Sequence, residues 1–114
     1  MSKWTPPVPK EKEIKKAIVT WLNLQPNTFA FVVSTVGIPD FKRKGGFRTN
    51  PNSGISDIIG CKNGKFFAFE VKRPGGELSD KQRTFLMRVF DSAGCNVVVT
   101  SLDEAMKAYG QIYD

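Results

Sequence analysis

The sequence predicts an α/β domain: a mixed β-sheet flanked by helices, in the chain order α-β-β-β-α-β-α. Three observations carry that expectation. Apolar residues at helical spacing run through 10–23 and again through 79–92. Asn63-Gly64 lies between two apolar, β-favouring runs. This is the strongest short-range hairpin signal, because a two-residue I′ turn needs φ > 0 at both positions. The stretch 66–100 then reads strand, helix, strand. Such a crossover is right-handed and sets the last strand parallel to the one it left.

The elements follow in order. Residues 1–9, with Pro6, Pro7 and Pro9, read as a flexible arm. In the first helix, Ile14, Ala17, Ile18, Trp21 and Leu22 form one stripe, and Pro26 closes the segment. Residues 29–34 read as a short apolar strand. The stretch 35–54 is rich in Gly, Pro, Asn and basic residues, and a loop of that length inside a compact domain is usually functional or disordered. The 57–72 hairpin comes next. Ser79 opens the second helix with a Ser-x-x-Gln capping box, Phe85, Leu86, Val89 and Phe90 form its buried stripe, and Gly94 stops it. Residues 96–100 are a fully apolar strand, and Ser101-x-x-Glu104 is a second capping box opening a last helix.

Bulk properties narrow the function. The 114 residues suit one domain, 1–114, with a single core. A net charge of +6 and a pI near 9.5 favour a polyanionic partner, nucleic acid first and an anionic membrane surface second. Cys61 and Cys95 have neither zinc spacing nor the density of a secreted scaffold, and read as buried thiols in a reducing cytosol. No apolar run approaches the roughly 20 residues of a membrane span. Neither a membrane nor an organic cofactor is expected. Histidine is absent. That removes Ser-His-Asp and Cys-His triads and His-ligated zinc, leaving carboxylates, lysine, or a metal held by oxygen.

The hairpin register supplies the candidate chemistry. With Asn63 and Gly64 as the turn, Lys62 faces Lys65 and Asp57 falls opposite Glu70. Cross-strand Cβ atoms lie roughly 4.5–5.5 Å apart. Carboxylates that close repel unless something positive lies between them. Lys72, two residues beyond Glu70, shares its face. Asp and Glu oxygens with a backbone carbonyl and waters suit Mg²⁺ or Mn²⁺, which activates water and stabilises charge on a phosphate in transit. Asp-x12-Glu-x-Lys is therefore interpretable as metal-dependent phosphodiester hydrolysis. A solvent-facing strand with cross-strand charges has the same letters, and a β-bulge would spoil the register. Gly37-Ile38-Pro39-Asp40 is a competing Pro-Asp match, but Asp40 lies outside the hairpin and far from its register, so it belongs to the loop.

Asp57 with Glu70-Val71-Lys72 resembles the signature of the PD-(D/E)xK nuclease superfamily. More narrowly, three segments in order resemble the virus-type replication-repair nuclease (VRR-NUC) domain. They are Ser53-Gly54-Ile55-Ser56-Asp57-Ile58-Ile59-Gly60, Phe69-Glu70-Val71-Lys72-Arg73-Pro74-Gly75-Gly76 and Leu78-Ser79-x-x-Gln82. The similarity spans about 10–105. Ser56 departs from the pattern, standing where a proline usually precedes the Asp. The resemblance implies a restriction-endonuclease-like fold and DNA cleavage of phage or prophage type, on branched DNA such as Holliday junctions.

On this reading Asp57, Glu70 and the Val71 carbonyl hold the metal, and Lys72 positions the attacking water. Gln82 heads the second helix's stripe; beyond capping, the resemblance favours its supporting Lys72 or a phosphate. Glu11 falls about 60° from the centre of the first helix's stripe and Glu13 about 100°. Glu11 is the one expected to bind metal, directly or through water, in agreement with the family's helical glutamate; Glu13 is a solvated acid. Lys42, Arg43, Lys44 and Arg48 pack cations into the long loop as a clamp for the DNA backbone, with Phe47 available to stack on bases and Arg73 as a further phosphate contact. Trp4, Trp21 and the other phenylalanines are assigned to the core. Cutting both strands of a symmetric junction calls for a homodimer, since one chain supplies one site. The compartment expected is the cytoplasm of a bacterial or phage-infected cell. The alternative is a non-catalytic nucleic-acid-binding module on the same fold.

Overall fold

A computed structural model of the chain describes residues 9–33 and 54–112, Trp4, Pro7, and the pairs 38–39 and 47–48. Its first helix, α1 (Glu11–Asn23), starts with two acids in the first turn, where the helix dipole favours them. Ile14, Ile18 and Leu22, each one turn apart, form its buried face. Asn23 ties the helix end to the first strand: its side-chain amide donates to the Ala30 carbonyl and accepts from the Ala30 N–H, both at 2.9 Å.

The main sheet contains β1 (Thr28–Val32), β4 (Ile58–Lys62), β5 (Lys65–Val71) and β6 (Cys95–Val99), side by side in the order β1-β4-β5-β6. The first two pairings are antiparallel and β5 runs parallel to β6, which is the mixed sheet expected. One addition falls within the 35–54 stretch. There β2 (Ile38–Pro39) and β3 (Phe47–Arg48) form a separate two-stranded antiparallel ladder.

Strand β5 is the spine. Phe67, Phe69 and Val71 point to one face and join Ile14, Ile18, Leu22, Val99, Ala105 and Tyr109 in the core under α1 and α3 (Leu102–Gly110). Alternation sends Phe66, Ala68 and Glu70 to the other face, where α2 (Asp80–Asp91) lies with Leu86 and Val89 buried. The sheet is thus a middle layer between two helical layers. Gly60 permits the close packing beside β5. A Cβ there would run into the Phe29 carbonyl and stand 2.6 Å from the Phe67 ring.

Both ends of α2 are well capped. Ser79 and Gln82 complete the reciprocal capping box. At the other end the Gly94 N–H reaches the Val89 carbonyl and the Ala93 N–H the Phe90 carbonyl, the paired bonds of a Schellman motif. The left-handed position is taken by Ala93 (φ 65°), not by Gly94. Gly94 is needed for space, since a Cβ there would stand 2.9 Å from Val89. At α3 the Ser101 hydroxyl accepts from the Glu104 N–H, but the Glu104 carboxylate accepts from Thr100, so this box is not reciprocal.

The aromatic residues divide differently from expectation. Trp21 packs edge-on against Tyr109 at 5.2 Å. Trp4, Phe29, Phe31, Phe66 and Phe90 are exposed. Phe29, Phe31 and Phe66 share the sheet face that carries α2, which packs on β5 and β6 and leaves the β1–β4 side open. Cys61 is exposed on that same side and is not a buried thiol. Strand β6 buries only Val99 completely, being an edge strand.

Two substitutions test these backbone arguments by urea denaturation. Gly60→Ala is expected to lose about 1–3 kcal/mol through overpacking. Ala93→Gly is expected to gain up to about 1 kcal/mol by relieving the left-handed alanine.

Candidate active site

The site grows from the turn. Asn63 (φ 50°) and Gly64 (φ 81°) both take the positive φ of a I′ turn, and the ladder behind them runs from Lys62↔Lys65 to Ile58↔Phe69. One step further along that register places Asp57 across from Glu70, as the sequence predicts. Asp57 lies just beyond β4 and is held at three points. Its backbone carbonyl accepts from the Val33 N–H at 2.8 Å. Carboxylate oxygen Oδ2 accepts from the Val71 N–H, also at 2.8 Å. The other oxygen, Oδ1, lies 3.2 Å from the Lys15 ammonium.

Glu70 sits deeper, at 1% exposure against 8% for Asp57. Its Oε1 accepts from the Gln82 amide at 3.0 Å. Its Oε2 is buried with no hydrogen-bond partner among the described residues. Burial first, and then the Asp57 carboxylate beside it, push the Glu70 carboxyl up to about 8. Lys72 and Lys15 pull weakly the other way. A buried acid with one oxygen unmatched has a strong physical demand for either a proton or a cation.

The other expected residues that the structure describes lie as follows. Lys72 is half-buried immediately after β5, with its N–H donating to the Val99 carbonyl at 2.9 Å. Gln82 keeps the capping role expected of it, and its other side-chain atom takes a partner that was not expected. Its Oε1 accepts from the Ser79 N–H in the cap, while its Nε2 donates to the active-site side. The partner is Glu70 and not Lys72. Glu11 is half-buried, and its carboxylate accepts from the Arg73 N–H at 3.3 Å, which ties the helix start to the end of β5. Glu13 is exposed. Among the described residues no three acids or cysteines stand close enough to hold one metal ion together. Glu11 is therefore adjacent to the Asp57–Glu70 pair without joining it as a third carboxylate.

Lys15 was absent from the sequence-derived set. The buried face of α1 is Ile14, Ile18 and Leu22, while Ala17 is exposed. At about 100° per residue, that face sets Glu11 within about 20° of its centre and Lys15 about 60° from it. Including Ala17 and Trp21 in the stripe turned its apparent centre away from Lys15. The available signal was the spacing: Lys15 is one turn after Glu11 and shares its side of the helix. Ser56 was noted only as a departure from a motif. It is fully buried and its hydroxyl has no partner among the described residues.

Of the basic set, Arg73 is exposed and bound through its backbone N–H to Glu11, and Arg48 lies in β3 opposite Ile38. Lys42, Arg43 and Lys44 lie outside the described residues, as does the competing Asp40.

The raised Glu70 fixes a pH dependence for the metal-free protein. Between pH 4.5 and about 8 the folded state holds a proton on Glu70 that the unfolded chain releases. This contribution to stability is full below pH 4.5 and is lost as pH rises through about 8. Urea unfolding in EDTA across that window is expected to show a loss of up to about 1.4 kcal/mol per pH unit from this group. Glu70→Gln is expected to flatten the slope.

No curated protein matches the chain. The VRR-NUC domain family matches residues 10–101, a span that begins beside Glu11 and includes Lys15, Asp57, Glu70, Lys72 and Gln82. The match covers most of the 114 residues and both faces of the site. The chain belongs to the VRR-NUC domain family, an α/β restriction-endonuclease-like nuclease fold of the PD-(D/E)xK type.

Proposed function

We propose that this nuclease is a Mg²⁺- or Mn²⁺-dependent DNA endonuclease. The observation that carries the proposal is the buried Glu70 Oε2, which has no hydrogen-bond partner among the described residues and lies beside Asp57 at the end of a sheet. Two hard oxygen donors at that spot, with no histidine in the chain, suit Mg²⁺ or Mn²⁺ better than a soft metal. Asp57, Glu70 and the Val71 carbonyl would hold the ion, and Glu11 would reach it through its water shell. When bound, the ion supplies an activated water and neutralises charge on the phosphate.

The protein's own groups do the rest. Lys72, on the Glu70 side of the sheet end, orients the attacking water. Gln82 fixes the direction of Glu70 through its amide. Arg73, with Lys42, Arg43, Lys44 and Arg48, grips the phosphate backbone. The net charge of +6 favours such a substrate over a neutral one. The reading extends to branched DNA, including Holliday junctions, processed in a phage or prophage setting in the cytoplasm. A homodimer would bring two sites to the two strands.

Labelled four-way junction, flap, single-stranded and duplex DNA, incubated with Mn²⁺, Mg²⁺ or EDTA, provide the test. Cleavage is expected with either metal and not in EDTA. Asp57→Asn and Lys72→Ala are each expected to lower the rate at least about 100-fold. Cleavage persisting in EDTA would refute the metal mechanism. Tight DNA binding without cleavage under any condition would establish a binding module instead.

A further inference from the structure

We infer that Lys15 is a tethered counter-ion that occupies the metal side of Asp57 in the metal-free protein and gives way when a divalent cation binds. The inference rests on the reading above, in which Asp57 is a metal ligand. Its own support is the division of labour between the two oxygens of that carboxylate. Oδ2 is committed to the Val71 N–H, a bond that belongs to the end of the sheet. Oδ1 faces the Lys15 ammonium at 3.2 Å. A cation entering between Asp57 and Glu70 therefore meets Lys15 at the oxygen it needs.

The surroundings make this pairing consequential. The two side chains are 23% and 11% exposed, so water screens the ion pair only partly. Lys15 also acts on Glu70, drawing its carboxyl downward against burial and Asp57. A positive group on Asp57 offsets part of the repulsion between these two acids. The backbone carrying Lys15 is fixed, because Ile14 and Ile18 are buried and Glu11 is tied to Arg73. The long lysine stem is not fixed in the same way: its four-carbon chain can swing the ammonium aside without moving the helix. Lys72 is placed differently, on the strand side of the site, and is not paired with Asp57.

The test is metal binding, measured by titration calorimetry on EDTA-stripped protein with Mn²⁺. Lys15→Met, which keeps the stem and removes the charge, is expected to tighten Mn²⁺ binding roughly tenfold, the scale of one lost charge-assisted hydrogen bond. It is also expected to lower the melting temperature in EDTA by a few degrees. Lys15→Gln supplies the same comparison should the methionine variant fold poorly, and Lys15→Arg is expected to bind Mn²⁺ within a few-fold of wild type. Amine acetylation followed by mass spectrometry reads the displacement itself: Mn²⁺ is expected to speed modification of Lys15 in the wild-type protein. Wild-type binding of Mn²⁺ with no tightening in Lys15→Met and Lys15→Gln, or with Lys15 protected by the metal, would overturn the counter-ion role and leave the nuclease reading standing. Absence of Mn²⁺ binding in wild type and variants alike would overturn both.

Discussion

The hydrogen bond from the Val71 N–H to the Asp57 carboxylate joins the fold to the site, and the remaining geometry follows from it. Strand β4 begins at Ile58, so its backbone ladder with β5 stops one residue short of Asp57. The aspartate side chain continues the pairing across the gap. That contact turns a loop residue into a fixed wall facing Glu70. It also uses up one carboxylate oxygen, which leaves the other for Lys15 or a metal. A charged acceptor on a backbone N–H in a buried setting is a strong contact, worth about 1.5–3 kcal/mol. Its strength is what holds two acids together that would otherwise separate.

Around that contact, each helix contributes one polar group to a mainly apolar packing problem. Helix α1 is held to the sheet by Ile14, Ile18 and Leu22, and that packing aims Glu11 and Lys15 at the strand ends. Helix α2 is held by Leu86 and Val89, and its first turn points the Gln82 amide at Glu70. The same Gln82 caps its own helix. Helix stability and the orientation of a candidate metal ligand are consequently coupled in one side chain. The two helical layers meet the sheet from opposite faces, yet their polar groups converge where β4 and β5 part.

Much of this was legible in the residues. Asn63-Gly64 set the hairpin register, and the register placed Asp57 across from Glu70. The parallel pairing of β5 with β6 followed from the intervening helix. What the sequence hid was decided by neighbours. Which side of α1 is buried depends on how β1, β5 and α3 pack beneath it, so Ala17 looked internal and Lys15 went unseen. Phe29 and Phe31 have core-like letters, but α2 packs on β5 and β6 and leaves their part of the sheet open, while Phe90 lies on α2 itself and faces outward. Ala93 took the left-handed helix stop that glycine chemistry assigns to Gly94, because Gly94 was needed for contact with Val89. Gln82 was correctly placed near the site, while its partner proved to be Glu70.

Anomalous diffraction from crystals of the protein grown with Mn²⁺ tests whether Asp57 and Glu70 form the one metal site proposed from the hairpin register. One manganese peak is expected within bonding distance of Asp57 Oδ1 and Glu70 Oε2, with Lys15 withdrawn from Asp57. A peak held instead by Asp40, or Mn²⁺ bound without either of these oxygens, would contradict it.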